Sequence, residues 1–148
     1  YFGESASSTT RETGTAGSMN FLGFNTNSGV VSSIEDTFVD ITTVVATTTK
    51  ANLMAWGGVS TNIGSAGILR AQCKIIVGST AMSSGSVQSI FDSSAPTDAT
   101  HSMTAGGVLT GQTEGSKTFK LQVRSDPAGD ELAVDATDGW LMVAEYTV

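Results

Sequence analysis

The stretch that decides the fold is SKTFKLQVRSDPAGDELAVDATDGWLMVAEYTV, residues 116–148. In its first part Phe119, Leu121 and Val123 alternate with polar side chains. A period of two is typical of a β-strand with one buried face. Asp138-Gly139 then predicts a tight turn, because this pair readily adopts the backbone of a two-residue hairpin. We therefore expect residues 116–148 to form an antiparallel strand pair in the core of a β-sandwich.

The last strand of this stretch, residues 140–148, is apolar on both sides. A strand of this kind lies in the centre of a sheet or in a contact between subunits. The alternation places Leu141 and Val143 on one side. On the opposite side it places Trp140, Met142 and Tyr146, which are the predicted interface residues of the domain.

The rest of the chain has the same rhythm of short strands separated by turn residues. Gly57-Gly58 interrupts one of these strands, which suggests a bulge or a close approach of backbones. Residues 25–29 are expected to form a loop, and residues 33–37 at most one helical turn. Many short strands at this spacing favour an all-β antiparallel jelly-roll sandwich of about eight strands. The other predicted strands span residues 37–48, 52–60, 67–77, 86–91 and 102–110.

Composition narrows the classes of function. The chain has 148 residues, enough for one domain, and 17 of them are glycine. The formal net charge is −7, and the seven Lys and Arg residues are scattered along the sequence. Nucleic acid and anionic membranes attract clustered cations, so neither is an expected partner. Nor does any apolar stretch approach the ~20 residues of a membrane span.

The first 17 residues are mostly Ser, Thr and Gly, which predicts an extended arm. We divide the chain into residues 1–32, an arm with a short first strand, and residues 33–148, the jelly-roll domain. Tyr1 and Phe2 lie at the tip of the arm without a local core to enter. They are therefore expected to anchor on a neighbouring subunit, where the arm can add strand hydrogen bonds. A frayed terminus is the alternative.

Residues with catalytic or metal-binding chemistry are few. His101 is the single histidine, and no Gly-x-Ser-x-Gly elbow accompanies it. Carboxylates cluster at residues 126–131 and 135–138, but in turns, where they cap their own backbone. The first cluster lacks the spacing of a calcium loop. Cys73 lies on the inward side of its strand, which favours packing over reactivity. We expect no catalytic residue, no metal and no cofactor.

Two segments carry a resemblance to a known family. Residues 115–124, GSKTFKLQVR, follow a G-S-x-T-x-x-L-Q-x-R pattern, and residues 140–145, WLMVAE, follow x-L-x-V-x-E. Over residues 33–148 the chain resembles the jelly-roll domains of bacteriophage virion proteins, which are similar to tumour-necrosis-factor and complement-C1q heads. The resemblance implies a trimer packed around an axis by apolar strands. It also implies capsid decoration, a fibre tip or a receptor-binding head as the role.

These observations favour a virion structural protein that is not an enzyme. We expect a trimeric decoration or cement protein on the particle surface, with the major capsid protein as its partner. The first alternative is a head that binds a receptor or host surface glycan. The second is a subunit of an extracellular filament, assembled by exchange of the arm as a donor strand.

Overall fold

The computed structural model describes residues 17–63, 69–82, 87–91, 100–126 and 134–148. Within these ranges the chain forms ten β-strands and no helix. The strands are β1 (Met19–Asn27), β2 (Val31–Ile34), β3 (Val39–Thr48), β4 (Asn52–Ile63), β5 (Leu69–Val77), β6 (Thr80–Ala81), β7 (Val87–Phe91), β8 (Thr100–Leu109), β9 (Gly115–Asp126) and β10 (Val134–Tyr146).

The strands build two antiparallel sheets. Sheet I has the order β1-β10-β4-β8, and β2 also pairs with β10. Sheet II has the order β3-β9-β5, and both β6 and β7 pair with β5. The chain passes from one sheet to the other between β3, β4 and β5, and again between β8, β9 and β10. The predicted all-β antiparallel sandwich is thus confirmed, and its topology is consistent with a jelly roll.

One hydrophobic core lies between the sheets. Strands β5 and β9 supply it with the side chains that the sequence alternation placed inward, and the predicted inward orientation of Phe119, Leu121 and Val123 is confirmed. Burying apolar side chains on both inner faces is what holds two sheets together at ~10 Å. The largest buried apolar side chains of the core are Ile34, Leu53, Ile75, Met82, Met103, Phe119, Leu121 and Leu141.

The predicted pairing of the last two strands is wrong. β9 pairs with β3 and β5 in sheet II, whereas β10 pairs with β1 and β4 in sheet I. The two strands therefore face each other across the core instead of lying side by side. Their alternation was identified correctly, but alternation shows only that a strand has a buried face and does not select its neighbours.

The predicted tight turn at Asp138-Gly139 is also wrong. β10 continues through this pair, and the pairing with β4 shifts by one residue between Thr137 and Trp140. Asp138 has a φ of 52°, in the left-handed region. That conformation serves a β-bulge as well as a hairpin turn, which explains the misleading signal.

The N-terminal strand is longer than expected. β1 pairs with β10 from Met19 to Asn27, so residues 25–27 are strand and not loop. Residues 31–34 form β2, so no helical turn begins at residue 33. β1 precedes the predicted domain boundary at residue 33, yet it is an integral strand of sheet I. The side chains of Asn25 and Asn27 donate hydrogen bonds to backbone carbonyls of β3, which joins this edge of sheet I to sheet II.

Candidate functional site

The outer side of sheet I carries a continuous apolar surface, which we call the apolar face. It comprises apolar outward side chains of the four strands in the order β1, β10, β4 and β8. Its members are Met19, Phe21 and Phe24 from β1, Trp140, Met142 and Tyr146 from β10, Met54 and Trp56 from β4, and Val108 from β8.

The pairing register brings these residues into rows across the sheet. Residues directly opposite each other on antiparallel strands point to the same side, with Cβ atoms roughly 5 Å apart. One row runs from Phe21 through Ala144 and Met54 to Val108. The next row, one step along the strands, consists of Phe24, Met142, Trp56 and Gly106. The apolar face is therefore a two-dimensional array and not a single apolar strand.

A bulge in β1 places two phenylalanines on this surface. Residues three apart point to opposite sides of a regular strand. The pairing of β1 with β10 shifts by one residue between Phe21 and Gly23, which inserts Leu22 as an extra residue. Leu22 packs against the core, while Phe21 and Phe24 both point outward.

Two tryptophans of the apolar face approach glycines of the neighbouring strand closely. A Cβ added to Gly58 would lie 2.5 Å from Nε1 of Trp140, and one added to Gly106 would lie 3.0 Å from Cδ1 of Trp56. A side chain at Gly58 would therefore displace the Trp140 indole, whereas one at Gly106 would need only a small shift of Trp56. The Gly57-Gly58 pair in β4 therefore lets the Trp140 indole pack against the β4 backbone. The sequence predicted a bulge or a close approach at this pair, and the structure shows a close approach. The indole covers backbone that glycine leaves exposed.

The apolar face is open to solvent and carries no charge. Met19 and Phe21 are each 62% exposed, and Phe24 is 56% exposed. Thr26, Asn52 and Thr104 occupy outward positions at its margin. Further along β10, Asp135 also points outward and accepts a hydrogen bond from the Ser33 amide. An exposed apolar patch rimmed by polar residues is a candidate interaction site.

The outer side of sheet II has the opposite character. Lys120 forms an ion pair with Asp40, which also accepts a hydrogen bond of 2.7 Å from Gln122. Burial tends to raise the pKa of Asp40, but the hydrogen bonds from Lys120 and Gln122 and the Lys120 charge lower it overall. Lys74 and Arg124 lie over the ring of Phe38, at 3.8 and 4.7 Å from its centroid. Three of the seven cations that are scattered in the sequence thus lie on one surface.

Glu145 anchors one end of sheet I from inside the sandwich. Its side chain points away from the apolar face and is 2% exposed. The carboxylate accepts hydrogen bonds from the backbone amide and hydroxyl of Thr49, both at 2.7 Å. It accepts two more from the Lys50 amide at 3.0 Å and the Asn20 side chain at 3.1 Å. Burying a carboxylate is unfavourable unless it is hydrogen-bonded, and these four donors supply the hydrogen bonds that the buried Glu145 carboxylate needs.

This arrangement lowers the pKa of Glu145. Burial raises the pKa, but the hydrogen bonds from Thr49, Asn20 and Lys50 outweigh that effect and bring the pKa to about 2. Next to it, the Lys50 ammonium donates to the carbonyl and hydroxyl of Ser18. Ser18 and Thr147 are joined by further hydrogen bonds. The cluster therefore holds the beginning of β1 against the end of β10, beside the apolar face.

The structure places the sequence-predicted interface residues as follows. Trp140, Met142 and Tyr146 share the apolar face, whereas Tyr1 and Phe2 lie outside the described residues. Sequence reasoning missed the contributions of β1, β4 and β8 to this surface. Phe21 and Trp56 each lie in a short apolar segment that the sequence makes evident. The neighbouring residues give no indication that the two strands flank β10.

The residues considered for catalysis and metal binding have separate outcomes. Cys73 is fully buried in the core, as predicted. The side chain of His101 and the carboxylates of residues 126–131 lie outside the described side chains. Among the side chains that the structure does describe, no three His, Cys, Asp or Glu residues form a group suited to a metal ion. The described ranges also contain no helix long and apolar enough to cross a membrane.

Comparison with known proteins gives a limited result. No protein-family model matches the chain, and no curated protein matches its sequence. Among solved structures, the chain is similar to one in the structure of infectious bursal disease virus strain Gx, with a TM-score of 0.49 and 14% identity over 88% of this chain and 33% of that one. For strain Gt the TM-score is 0.45, with 11% identity over 88% and 32%. The chain spans about a third of the length of these viral chains.

Proposed function

We propose that the protein is a structural subunit of a virion, a trimeric decoration or cement protein that binds the major capsid protein at the particle surface. The observation that carries the proposal is the apolar face. A shell subunit has to bury surface against its neighbours, and this chain offers a continuous apolar surface on the outer side of sheet I, while the outer side of sheet II is polar. The jelly-roll sandwich and the sequence resemblance to phage virion domains support the same role.

The proposal assigns no catalytic activity to the chain. Among the described side chains, the Cys73 thiol is fully buried, and the Glu145 carboxylate accepts hydrogen bonds from four donors. A nucleophile or general base needs access to a substrate and an unsatisfied hydrogen-bonding position. Neither Cys73 nor Glu145 combines access to a substrate with an unsatisfied hydrogen-bonding position. The proposed role is therefore argued from the outer surfaces of the sheets.

Labelling of particles tests this function. An antibody raised against the purified chain would be applied to virus particles recovered from the same source and viewed by electron microscopy. We expect label distributed over the outer surface of the capsid. Label confined to a fibre tip would replace decoration by the receptor-binding role. Particles that lack the chain altogether, by labelling and by mass spectrometry, would refute a virion function.

A second candidate function has one observation in its favour. The outer side of sheet II brings Lys74, Lys120 and Arg124 together around Phe38 and Asp40. A cationic surface on a chain of net charge −7 suits an acidic ligand, such as a sialylated or sulfated host glycan. Binding to acidic but not neutral sugars on a glycan array, lost in Arg124→Ala, would favour the receptor-binding head. An array without binding would leave decoration as the better assignment.

A further inference from the structure

Strand β8 forms an open edge of sheet I. It pairs with β4 over ten residues, Thr100–Leu109, without a register shift. No other strand of the described ranges pairs with it. In an antiparallel pair, alternate residues turn both the amide and the carbonyl away from the partner strand. Between Ser102 and Gly107, β8 therefore presents a row of backbone donors and acceptors on the side away from β4.

The sequence of β8 does not protect this edge. Edge strands are usually guarded by charge, proline, a bulge or shortness, because an exposed edge pairs with other chains. Strand β8 contains no Asp, Glu, Lys, Arg or Pro, and its pairing with β4 shows no bulge. At the other edge of sheet I, β1 carries a bulge, and Asn25 and Asn27 donate hydrogen bonds to carbonyls of β3. In sheet II, β6 and β7 are only two and five residues long. Strand β8 therefore has the properties of an acceptor for a further strand.

The segment that precedes β1 offers a strand of suitable composition and length. Residues 1–16, the arm, lie outside the described residues. The pairing row that begins with Asn20 of β1 ends with Leu109 of β8, so the arm joins sheet I at the end where β8 finishes. Residues 7–15 of the arm are mostly Ser and Thr, without proline. Threonine is favoured in strands, so this part of the arm suits pairing with an open edge.

We propose that β8 accepts the arm of a neighbouring copy, which adds to sheet I as an antiparallel strand. The inference deepens the proposed function, because it rests on the chain being an assembled subunit. It names the acceptor strand, the donor segment and their relative direction.

Distance and direction favour the arm of a neighbour over the arm of the same copy. Three strand spacings separate β1 from β8, so a chain that passes from β1 to the far side of β8 crosses ~19 Å. At ~3.3 Å per residue, that crossing uses roughly six residues of the arm before any turn. The strand order also makes β1 and β8 antiparallel, so the arm of the same copy would run parallel to β8. A neighbour's arm is free to pair in the more stable antiparallel direction.

The antiparallel direction also matches the side chains along the edge. It places the first residues of the arm beside the C-terminal end of β8 and the later ones beside its N-terminal end. At the C-terminal end the outward side chain is Val108, whereas Thr104 and Ser102 point outward nearer the N-terminal end. The arm has the same order, since Tyr1 and Phe2 come first and the Ser and Thr residues follow. A parallel arm would set the aromatic pair against the polar end.

Hydrogen exchange followed by NMR tests the pairing. Thr9→Pro with Thr10→Pro removes amides of both alternations from the arm and leaves every described residue unchanged. Thr9→Val with Thr10→Val is the matched control, because valine keeps the amides and the preference for strands. We expect the outward amides of residues 102–107 to exchange at least ~10-fold faster in the proline variant than in the native chain and the valine control. Equal exchange in all three chains would overturn the proposal.

Photo-crosslinking tests the partner and the direction. Phe2→p-benzoylphenylalanine and Thr10→p-benzoylphenylalanine would each be mixed with isotope-labelled native chain, and the crosslinked peptides located by mass spectrometry. We expect crosslinks between unlabelled and labelled chains, with residue 2 attached near Val108 and residue 10 near Ser102. Crosslinks confined within single chains would assign the arm to its own β8 and overturn the exchange between copies. Attachment of residue 2 near Ser102 would overturn the antiparallel direction.

These outcomes are distinguishable from those that test the virion function. Equal exchange of the β8 amides in a chain that still labels the capsid overturns the arm exchange and leaves the virion function standing. Arms crosslinked to β8 of other copies, in a chain that is absent from the particles, do the reverse.

Discussion

Glu145 offers the sharpest test of how the sandwich is held together. We expect Glu145→Gln to lower the free energy of unfolding near neutral pH, because the carboxylate accepts four hydrogen bonds from Thr49, Lys50 and Asn20. The amide retains one acceptor oxygen but turns its NH₂ group towards donors. A buried donor without a partner costs ~1–3 kcal/mol, and more when a charge is lost.

The pKa gives the magnitude. Folding lowers the pKa of Glu145 from 4.5 to about 2. At 1.36 kcal/mol per pKa unit this difference corresponds to about 3 kcal/mol of stability at most. In a domain of this size, a loss of that amount lowers the melting temperature by roughly 6–12 °C.

The sign of the pH dependence follows from the same shift. Because the folded pKa is lower than the unfolded one, the contribution of Glu145 is complete above about pH 4.5 and is lost as the pH falls towards 2. Glu145→Gln has no such group to titrate. We therefore expect the stability difference between native protein and variant to be largest near pH 6 and to shrink steadily below pH 4.5.

Urea unfolding at a series of pH values measures this difference, with the protein concentration held constant in case the folded form is an oligomer. Glu114→Gln serves as the control, since Glu114 is exposed. It should change stability by less than ~0.5 kcal/mol throughout. If the curves of the native protein and Glu145→Gln stay parallel from pH 6 to pH 2.5, the reasoning about the carboxylate is refuted.

Three further substitutions probe the sheets. Gly58→Ala puts a Cβ against the indole of Trp140, so we expect a loss of about 1–3 kcal/mol and a shift of tryptophan emission. Unchanged emission would contradict the stacking. Leu121→Ala removes a fully buried side chain between the sheets and should cost about 2–5 kcal/mol in chemical denaturation. A cost under 1 kcal/mol would place Leu121 outside the core. Asp40→Asn breaks an exposed ion pair with Lys120 and should cost less than ~1 kcal/mol, and less still at high salt. A larger, salt-independent loss would show that the pair is not a surface contact.

Local patterns predicted the strands well where one side is buried. In β9 the inward side chains are those that the alternation selected, because a period of two is imposed by the strand itself. The turn predicted at Asp138-Gly139 was wrong because this pair favours a left-handed backbone, which occurs both in turns and in bulges. Pairing with the neighbouring strand β4 selects the bulge.

The candidate site was predicted in part. The two apolar sides of β10 predicted an interface with Trp140 and Met142, and the structure places both on the outer side of sheet I; their role as interface residues stays a prediction. The pattern could not show that Phe24 and Trp56 flank them, because sheet neighbours are chosen by contacts between segments far apart in the chain. No role was predicted for Glu145, since its donors come from Asn20 in β1 and from a turn about 96 residues earlier.

By itself, then, the sequence determined that this chain forms strands, which side of β5 and β9 is buried, and that the last strand is apolar on both sides. Those properties depend on residues a few positions apart. The tertiary structure decided that β9 and β10 lie in different sheets and that four strands share one exposed apolar surface. The order of strands in a sheet depends on which distant segments bury the most apolar area when they pack together. No single segment contains that information.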